Sequence, residues 1–171
     1  MRVFLIGYMG VGKSTIGKKL AKRLGLKFID LDDYITSNEY ASIDQVIENI
    51  GEDYFRNIER HYLLEVTQME GVLISTGGGT PCFFDHMTLI NDSGVSVYLK
   101  MDEKSLTNRL KNGMDNRPLL KGKNPEDLEG FIEDHLNGRK PFYEQAHIIF
   151  DALNMNSERI EELAELIEGR N

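Results

Sequence analysis

The sequence predicts an α/β fold in which a five-stranded parallel sheet is flanked by helices on both faces. Short apolar runs typical of buried strands alternate with segments of helical periodicity, and no internal repeat interrupts them. Polar or glycine-rich segments follow three of these runs directly, and ligands of such sheets bind at the carboxyl ends of the strands. With 171 residues, 40% of them hydrophobic, we expect one domain over 1–171 with a sizeable core.

The first strand and helix enclose a phosphate-binding motif. The strand is predicted over 2–6, and the helix carries apolar residues at helical spacing over 16–24. Between them, residues 7–15 read G-Y-M-G-V-G-K-S-T and match the pattern G-x-x-x-x-G-K-[ST]. In this pattern Lys13 reaches the β- and γ-phosphates and the Ser14 hydroxyl ligates Mg²⁺.

The spacing of the motif answers the needs of a polyphosphate. Its glycines turn successive N–H groups inward, and the N-terminus of the following helix favours an anion. A glycine-rich turn that binds nothing is the alternative, but it leaves the Lys-Ser pair unexplained. The predicted nucleotide contacts of this loop are Gly10, Val11, Gly12, Lys13, Ser14 and Thr15.

The second predicted strand, 27–30, ends in a run of acids. If the chain stays extended, Asp30 and Asp32 point to the same side, which suggests one carboxylate near Mg²⁺ and one near a substrate hydroxyl. The alternative is that Asp32 or Asp33 caps a short helix starting at Tyr34, and for Asp33 we favour that role.

Two helices and a third strand lead to a triple glycine. A capping box at Ser42 starts a helix that Gly51 ends, and apolar residues recur at helical spacing over 55–69. The third strand, 72–75, runs into T-G-G-G at 76–79, where a substrate could lie against bare backbone amides. A wide turn is the alternative. The glycines concerned are Gly77, Gly78 and Gly79.

The C-terminal part supplies the remaining elements. The fourth strand is predicted over 95–99, Asp102 caps the helix after it, the fifth strand covers 147–150, and an amphipathic helix closes the chain. Residues 112–124 are glycine-containing and basic with little periodicity, which predicts a mobile surface loop. Asn124 is the predicted N-cap of the next helix, with proline at its first position.

Four arginines are candidates for anion contact or for simple solvation of a surface. Arginine forms paired, planar hydrogen bonds with a carboxylate or a phosphate. Arg56 lies on a predicted helix, Arg117 in the basic loop and Arg139 just before Lys140-Pro141. Arg109 could instead pair with an acid on its own helix.

Composition excludes several classes. The net charge of −8 argues against general nucleic-acid binding. Apolar runs of about five residues at most predict neither a membrane span, which needs roughly 20, nor a signal peptide. The single cysteine, Cys82, permits no intrachain disulfide, so we expect a cytoplasmic protein, and the absence of an apolar surface stripe predicts a monomer.

Taken together, these motifs resemble the shikimate kinases over almost the full length of the chain. The matching segments, in order, are 7–15, D-L-D at 30–32, F-R-N-I-E at 55–59, T-G-G-G at 76–79, R-P-L-L at 117–120 and R-K-P-F-Y at 139–143. The resemblance implies a P-loop NTPase fold with a mobile lid at 112–124 and a helical substrate-binding region at 32–62. It also implies that the chain transfers the γ-phosphoryl group of ATP to the 3-hydroxyl of shikimate.

The resemblance also implies roles for individual residues. Ser14 would ligate Mg²⁺, Asp30 would approach it through water, and Asp32 would contact shikimate hydroxyls as the candidate base. The shikimate carboxylate would meet Arg56 and Arg139, with Gly77, Gly78 and Gly79 beside it. The lid would carry Arg117 to the phosphates, while Arg109 and the stretch after Asp151 would flank the adenine. The catalytic set would be Lys13, Asp32 and Arg117.

Rival functions are another small-molecule kinase, a GTP-dependent switch and a noncatalytic ATP-binding module. A nucleotide kinase needs several arginines for a phosphorylated acceptor, whereas this chain offers glycines and acids; gluconate is the other kinase substrate considered. The D-x-x-G match at 127–130 does not follow a strand, and no N-K-x-D guanine signature is present. A noncatalytic module leaves the lid and the substrate arginines without a purpose.

Overall fold

The computed structural model describes residues 1–111, 120, 124 and 126–170. Five strands form one fully parallel sheet in the order β2-β3-β1-β4-β5, which confirms the predicted architecture. The strands are β1 (Arg2–Ile6), β2 (Lys27–Asp30), β3 (Val72–Ser75), β4 (Val95–Lys100) and β5 (Ile148–Asp151). The helices are α1 (Lys13–Leu24), α2 (Leu31–Glu39), α3 (Ile43–Ile50), α4 (Glu52–Val66), α5 (His86–Ser93), α6 (Glu103–Leu110), α7 (Leu128–Tyr143) and α8 (Ser157–Glu168).

The core lies around the central strand, β1. Phe4 pairs in register with Ile74 of β3 and with Ser96 of β4, and all three side chains are fully buried. Continuous apolar runs of this kind belong to strands covered on both faces. Helices α1 and α8 pack against each other, α5 packs on β4, and α6 packs on α7. The strand order reverses direction at β1, so the loop after β1 sits where doubly wound sheets bind ligands.

Most predicted boundaries agree with the structure within a residue. The capping box at Ser42 is present, with Gln45 as its reciprocal partner, and Asp102 accepts a hydrogen bond from the Ser105 amide at 2.8 Å. Helix α4 ends at Val66, so Met69 lies beyond it. Within the described ranges, no helix has both the length and the apolar composition that crossing a membrane requires.

Two predicted helix starts are wrong. Helix α2 begins at Leu31, and Asp30 is its N-cap, accepting a hydrogen bond from the Asp32 amide at 3.2 Å. The acid that ends β2 therefore already caps the helix, and Asp32 does not lie in an extended segment that would point it to the same side as Asp30. Neither Asp32 nor Asp33 is the cap, because both lie in the first turn of α2.

The second wrong start is that of α7, whose N-cap is Asp127 and not Asn124. The Asn124 side chain accepts a hydrogen bond from the Glu126 amide at 3.2 Å, and its carbonyl accepts one from the Asp127 amide. Asparagine closes a local turn in this way, and the turn competes with helix capping. Pro125 lies outside the described residues.

Candidate active site

The loop between β1 and α1 is built to receive an anion. Gly10 and Gly12 have backbone φ angles of 82° and 99°, in the left-handed region that favours glycine. Gly12 occupies the N-cap position of α1 and offers no side chain to the first amides, so these amides can meet a ligand. Lys13 lies across the loop and donates from Nζ to the carbonyls of Gly7 at 2.8 Å and Tyr8 at 3.1 Å.

The loop forms one wall of a cleft of about 320 Å³ at the carboxyl edge of the sheet. The opposite walls come from the ends of β2 and β3, as the strand order requires. The lining residues are Met9, Gly10, Gly12, Lys13, Ser14, Thr15, Asp30, Asp32, Ser75, Thr76, Gly77 and Gly78. The structure therefore brings the phosphate loop, both carboxylates and the first two glycines of the triplet, Gly77 and Gly78, into one space.

Two oxygen groups that suit Mg²⁺ meet beside the loop. The Ser14 hydroxyl donates to Asp30 Oδ2 at 2.6 Å, while Asp30 Oδ1 accepts the hydrogen bond that caps α2. Among the described residues, no group of three or more histidine, cysteine, aspartate or glutamate side chains could hold a metal by itself. Mg²⁺ characteristically binds through one or two protein oxygens together with phosphate and water, so these residues fit that ion.

Asp32 lies half-buried in the cleft against Gly77. A Cβ atom at Gly77 would lie only 2.8 Å from Asp32 Oδ1, so the carboxylate meets bare backbone there. Burial raises the pKa of Asp32 from 3.8 to about 6, and the negative charges of Asp30 and Glu59 act in the same direction against the opposing charge of Lys13. The group is therefore poised to exchange a proton close to neutral pH.

Arg56 lies against the last glycine of the triplet. A Cβ atom at Gly79 would lie 3.0 Å from Arg56 Nη2, which is closer than most Cβ atoms in proteins approach a neighbouring atom. The guanidinium donates from Nη1 to Glu59 and from Nη2 to Glu52, both at 2.9 Å. Only 12% of the Arg56 side chain is exposed, so its charge is held in place.

Arg139 lies beside the middle glycine. Its Nη1 would be 3.4 Å from a Cβ atom at Gly78, and its guanidinium lies 5.9 Å from the Tyr8 ring. The Tyr143 hydroxyl donates to the Gly78 carbonyl at 2.5 Å, which fixes the glycine backbone from the same helix. Two cationic planes thus flank the triple glycine, an arrangement that favours an acceptor carrying a carboxylate.

A second cleft, of about 190 Å³, adjoins the loop on the side of α1 and α8. Arg109 lines it and donates to the Val11 carbonyl at 3.1 Å, which ties α6 to the phosphate loop. Ala152 and Met155, from the stretch after Asp151, complete the wall. Arg117 lies outside the described residues, as does most of 112–124, apart from Leu120 and Asn124.

Comparison with known proteins decides the family. The shikimate kinase family model matches residues 9–168. The chain belongs to the shikimate kinase family. A shikimate kinase of Parabacteroides distasonis is 52% identical over 92% of this chain and 91% of that protein.

Solved structures of the family superpose closely on this chain. The crystal structure of shikimate kinase from Bacteroides thetaiotaomicron has a TM-score of 0.93 at 42% identity and covers 98% of each chain. The solved structure of shikimate kinase from Acinetobacter baumannii in complex with shikimate has a TM-score of 0.88 at 32% identity, and the match covers 99% of this chain and 94% of that one. The predicted P-loop kinase fold and ATP-dependent phosphotransferase class are thereby confirmed.

One residue of this shikimate kinase site escaped assignment from the sequence. Glu59 is 1% exposed and accepts hydrogen bonds from Arg56 and, at 2.6 Å, from the Thr80 hydroxyl. It links α4 to the turn that follows the triple glycine. A glutamate three positions after an arginine on one helix is a pairing signal that could have identified it, although its burial and its bond to Thr80 depend on tertiary packing.

Proposed function

We propose that this chain transfers the γ-phosphoryl group of ATP to the 3-hydroxyl of shikimate and yields shikimate 3-phosphate. The product would enter chorismate and aromatic amino acid biosynthesis. The observation that carries the proposal is the cleft in which a phosphate loop faces Asp32, Gly77 and Gly78, with Arg56 and Arg139 packed against the glycine triplet beside it. The Acinetobacter baumannii relative, solved with shikimate, supports the same acceptor.

The nucleotide side of the site would neutralise and orient the triphosphate. The amides of residues 10–15 would donate to the phosphates, and Lys13 would exchange its two carbonyl contacts for phosphate oxygens. The adenine would occupy the cleft beside Arg109 and Met155. Phosphoryl transfer depends on positioning and on charge stabilisation more than on covalent chemistry, which this arrangement supplies.

Mg²⁺ is the proposed metal cofactor. Ser14 would ligate it directly and Asp30 would meet it through water, in keeping with their 2.6 Å contact. When bound, Mg²⁺ would offset the negative charge that develops on the phosphate oxygens during transfer. Asp30 would therefore contact the water bound to the metal and also cap α2.

The acceptor side would hold shikimate by both of its ends. Arg56 and Arg139 would bind the carboxylate, and the backbone of Gly77, Gly78 and Gly79 would form the surface on which the ring lies. The 3-hydroxyl would donate to Asp32, which orients it toward the γ-phosphorus and accepts its proton. Because proton transfer requires an ionised carboxylate, the raised pKa of Asp32, about 6, supports an activity that would increase as the pH rises through that value.

Residues 112–124 are proposed, from the family resemblance, as the lid that excludes water during transfer and brings Arg117 to the phosphates. The substrate-binding region is proposed to span 32–62. The presence of a single cysteine, Cys82, supports a cytoplasmic location. Burial raises the pKa of its thiol to about 11, so this cysteine is poorly reactive. A monomer is the proposed state in solution.

A coupled assay tests the proposal. Purified protein is incubated with ATP, Mg²⁺ and one acceptor at a time, namely shikimate, gluconate or a nucleoside monophosphate, and ADP release is followed. We expect turnover with shikimate alone and none from the Lys13→Ala variant. Faster ADP release with gluconate or a nucleotide, or no release with shikimate, would show that the proposal is wrong.

A further inference from the structure

The turn after the triple glycine places an aromatic ring on the guanidinium of Arg56. The ring centroid of Phe83 lies 3.9 Å from Arg56 Cζ, well within the range of about 6 Å for a cation–π contact. Phe55, from the same helix as Arg56, lies farther away, at 5.1 Å. Phe83 therefore covers one face of the arginine plane more closely than any ring on the arginine's own helix.

The other contacts of Arg56 fix its orientation within that plane. Nη1 donates to the buried carboxylate of Glu59, which the Thr80 hydroxyl also binds at 2.6 Å. Both Thr80 and Phe83 belong to the segment that follows Gly79, so one turn supplies two of the restraints on Arg56. A planar guanidinium binds a carboxylate well only when its edge faces that carboxylate.

The backbone of this turn carries strain of the kind found near functional sites. Phe84 has a φ angle of 49°, which is uncommon for a bulky residue and unfavourable for it. His86 restrains the turn, because its Nδ1 lies 2.7 Å from the Thr80 carbonyl. Within this turn the Phe83 ring lies against Arg56, whereas the Phe84 side chain is exposed.

We propose that Phe83 is a positioning residue for acceptor binding. Its ring holds the Arg56 guanidinium flat against Gly79, so that the N–H groups not used by Glu59 and Glu52 meet the acceptor carboxylate without a further loss of side-chain freedom on binding. The inference rests on the proposed function, because it concerns the same carboxylate contact. Phe83 touches neither the transferred phosphoryl group nor the reacting hydroxyl in this account, so its effect falls on affinity and not on turnover.

The test is Phe83→Leu, which keeps an apolar side chain and removes the ring. We expect the KM for shikimate to rise roughly three- to tenfold, the range of a partly desolvated cation–π contact. The kcat should stay within about twofold and the KM for MgATP should be unchanged. Phe83→Tyr should restore the KM for shikimate, because its ring can stack in the same way.

Phe84→Leu is the matched control. It makes the same change one residue along the chain, where the ring faces Arg60 at 5.4 Å outside the cleft. We expect this variant to keep the KM for shikimate. An equal rise in both leucine variants, or a rise that Phe83→Tyr fails to reverse, would overturn the inference in favour of a general packing effect.

A double-mutant cycle shows whether the effect passes through Arg56. In an Arg56→Ala background, Phe83→Leu should have no further effect on the KM for shikimate, measured at saturating MgATP. A rise as large as in the wild-type background would overturn the inference. Failure of the proposed function is distinct, since wild-type protein would then not phosphorylate shikimate at all, whatever residue stands at position 83.

Discussion

Replacing Asp32 by asparagine should stabilise the protein while removing most of its activity. The carboxylate lies half-buried between Gly77 and the negative charges of Asp30 and Glu59, and this setting raises its pKa from 3.8 to about 6. An ionised Asp32 is therefore less favourable in the folded chain than in the unfolded chain. Asparagine keeps the shape of the side chain and removes the charge.

The pKa shift sets both the size and the sign of this effect. One pKa unit corresponds to about 1.4 kcal/mol, so the shift of Asp32 corresponds to at most about 3 kcal/mol. Solvent in the cleft screens part of it, and we expect a gain of about 1–2 kcal/mol for Asp32→Asn at pH 7.5. Below pH 3.8 both states of the wild type are protonated and this penalty vanishes. As the pH rises from 3.8 to about 6, the folded chain holds a proton that the unfolded chain releases, so wild-type stability falls.

Urea unfolding of wild type and Asp32→Asn at pH 4.5, 6 and 7.5 measures this difference. The advantage of the variant should grow with pH and level off above about 6. Asp33→Asn is the matched control, because Asp33 is exposed and adjacent, and it should change stability little. Turnover of Asp32→Asn should fall by roughly two to four decades. A variant that is less stable at pH 7.5, or a difference independent of pH, would refute the reasoning.

Three further predictions concern the cleft. Lys13→Ala should abolish measurable turnover in steady-state assays, because it removes a donor to the transferred phosphoryl group; a normal kcat would contradict the assignment. Arg139→Ala should raise the KM for shikimate by roughly 10–100-fold with a smaller change in kcat, since it removes a charge-assisted hydrogen bond, and unchanged affinity in calorimetry would exclude that bond. Gly79→Ala should fold normally at its φ of −87°, yet weaken shikimate binding, because its methyl group would displace Arg56 at 3.0 Å; retained affinity would count against the Arg56 contact.

The sequence specified the sheet because each strand carries its own signal. Continuous apolar runs such as 2–6 and 72–75 must be covered on both faces. The local sequence pattern was therefore enough to predict these strands. The phosphate loop was predicted for a similar reason, since its glycines and Lys13 act through the local backbone.

The errors arose where two local solutions compete or where the partner is remote in sequence. Asp30, Asp32 and Asp33 are all acceptable N-caps, and only the path from β2 into α2 selects Asp30. The bond from Glu59 to Thr80 joins residues that are 21 positions apart, and helical periodicity does not reveal it. The proposed role of Phe83 is harder still to predict from the sequence, because it depends on a strained turn and not on a motif.

The most direct test of the central claim is identification of the product by ³¹P NMR. Wild-type protein, ATP, Mg²⁺ and shikimate should give one new phosphate-monoester signal coupled to the proton on carbon 3, in an amount equal to the ADP formed, and Lys13→Ala should give none. Inorganic phosphate as the main product, or a monoester at another hydroxyl, would contradict the placement of the 3-hydroxyl between Asp32 and the γ-phosphate.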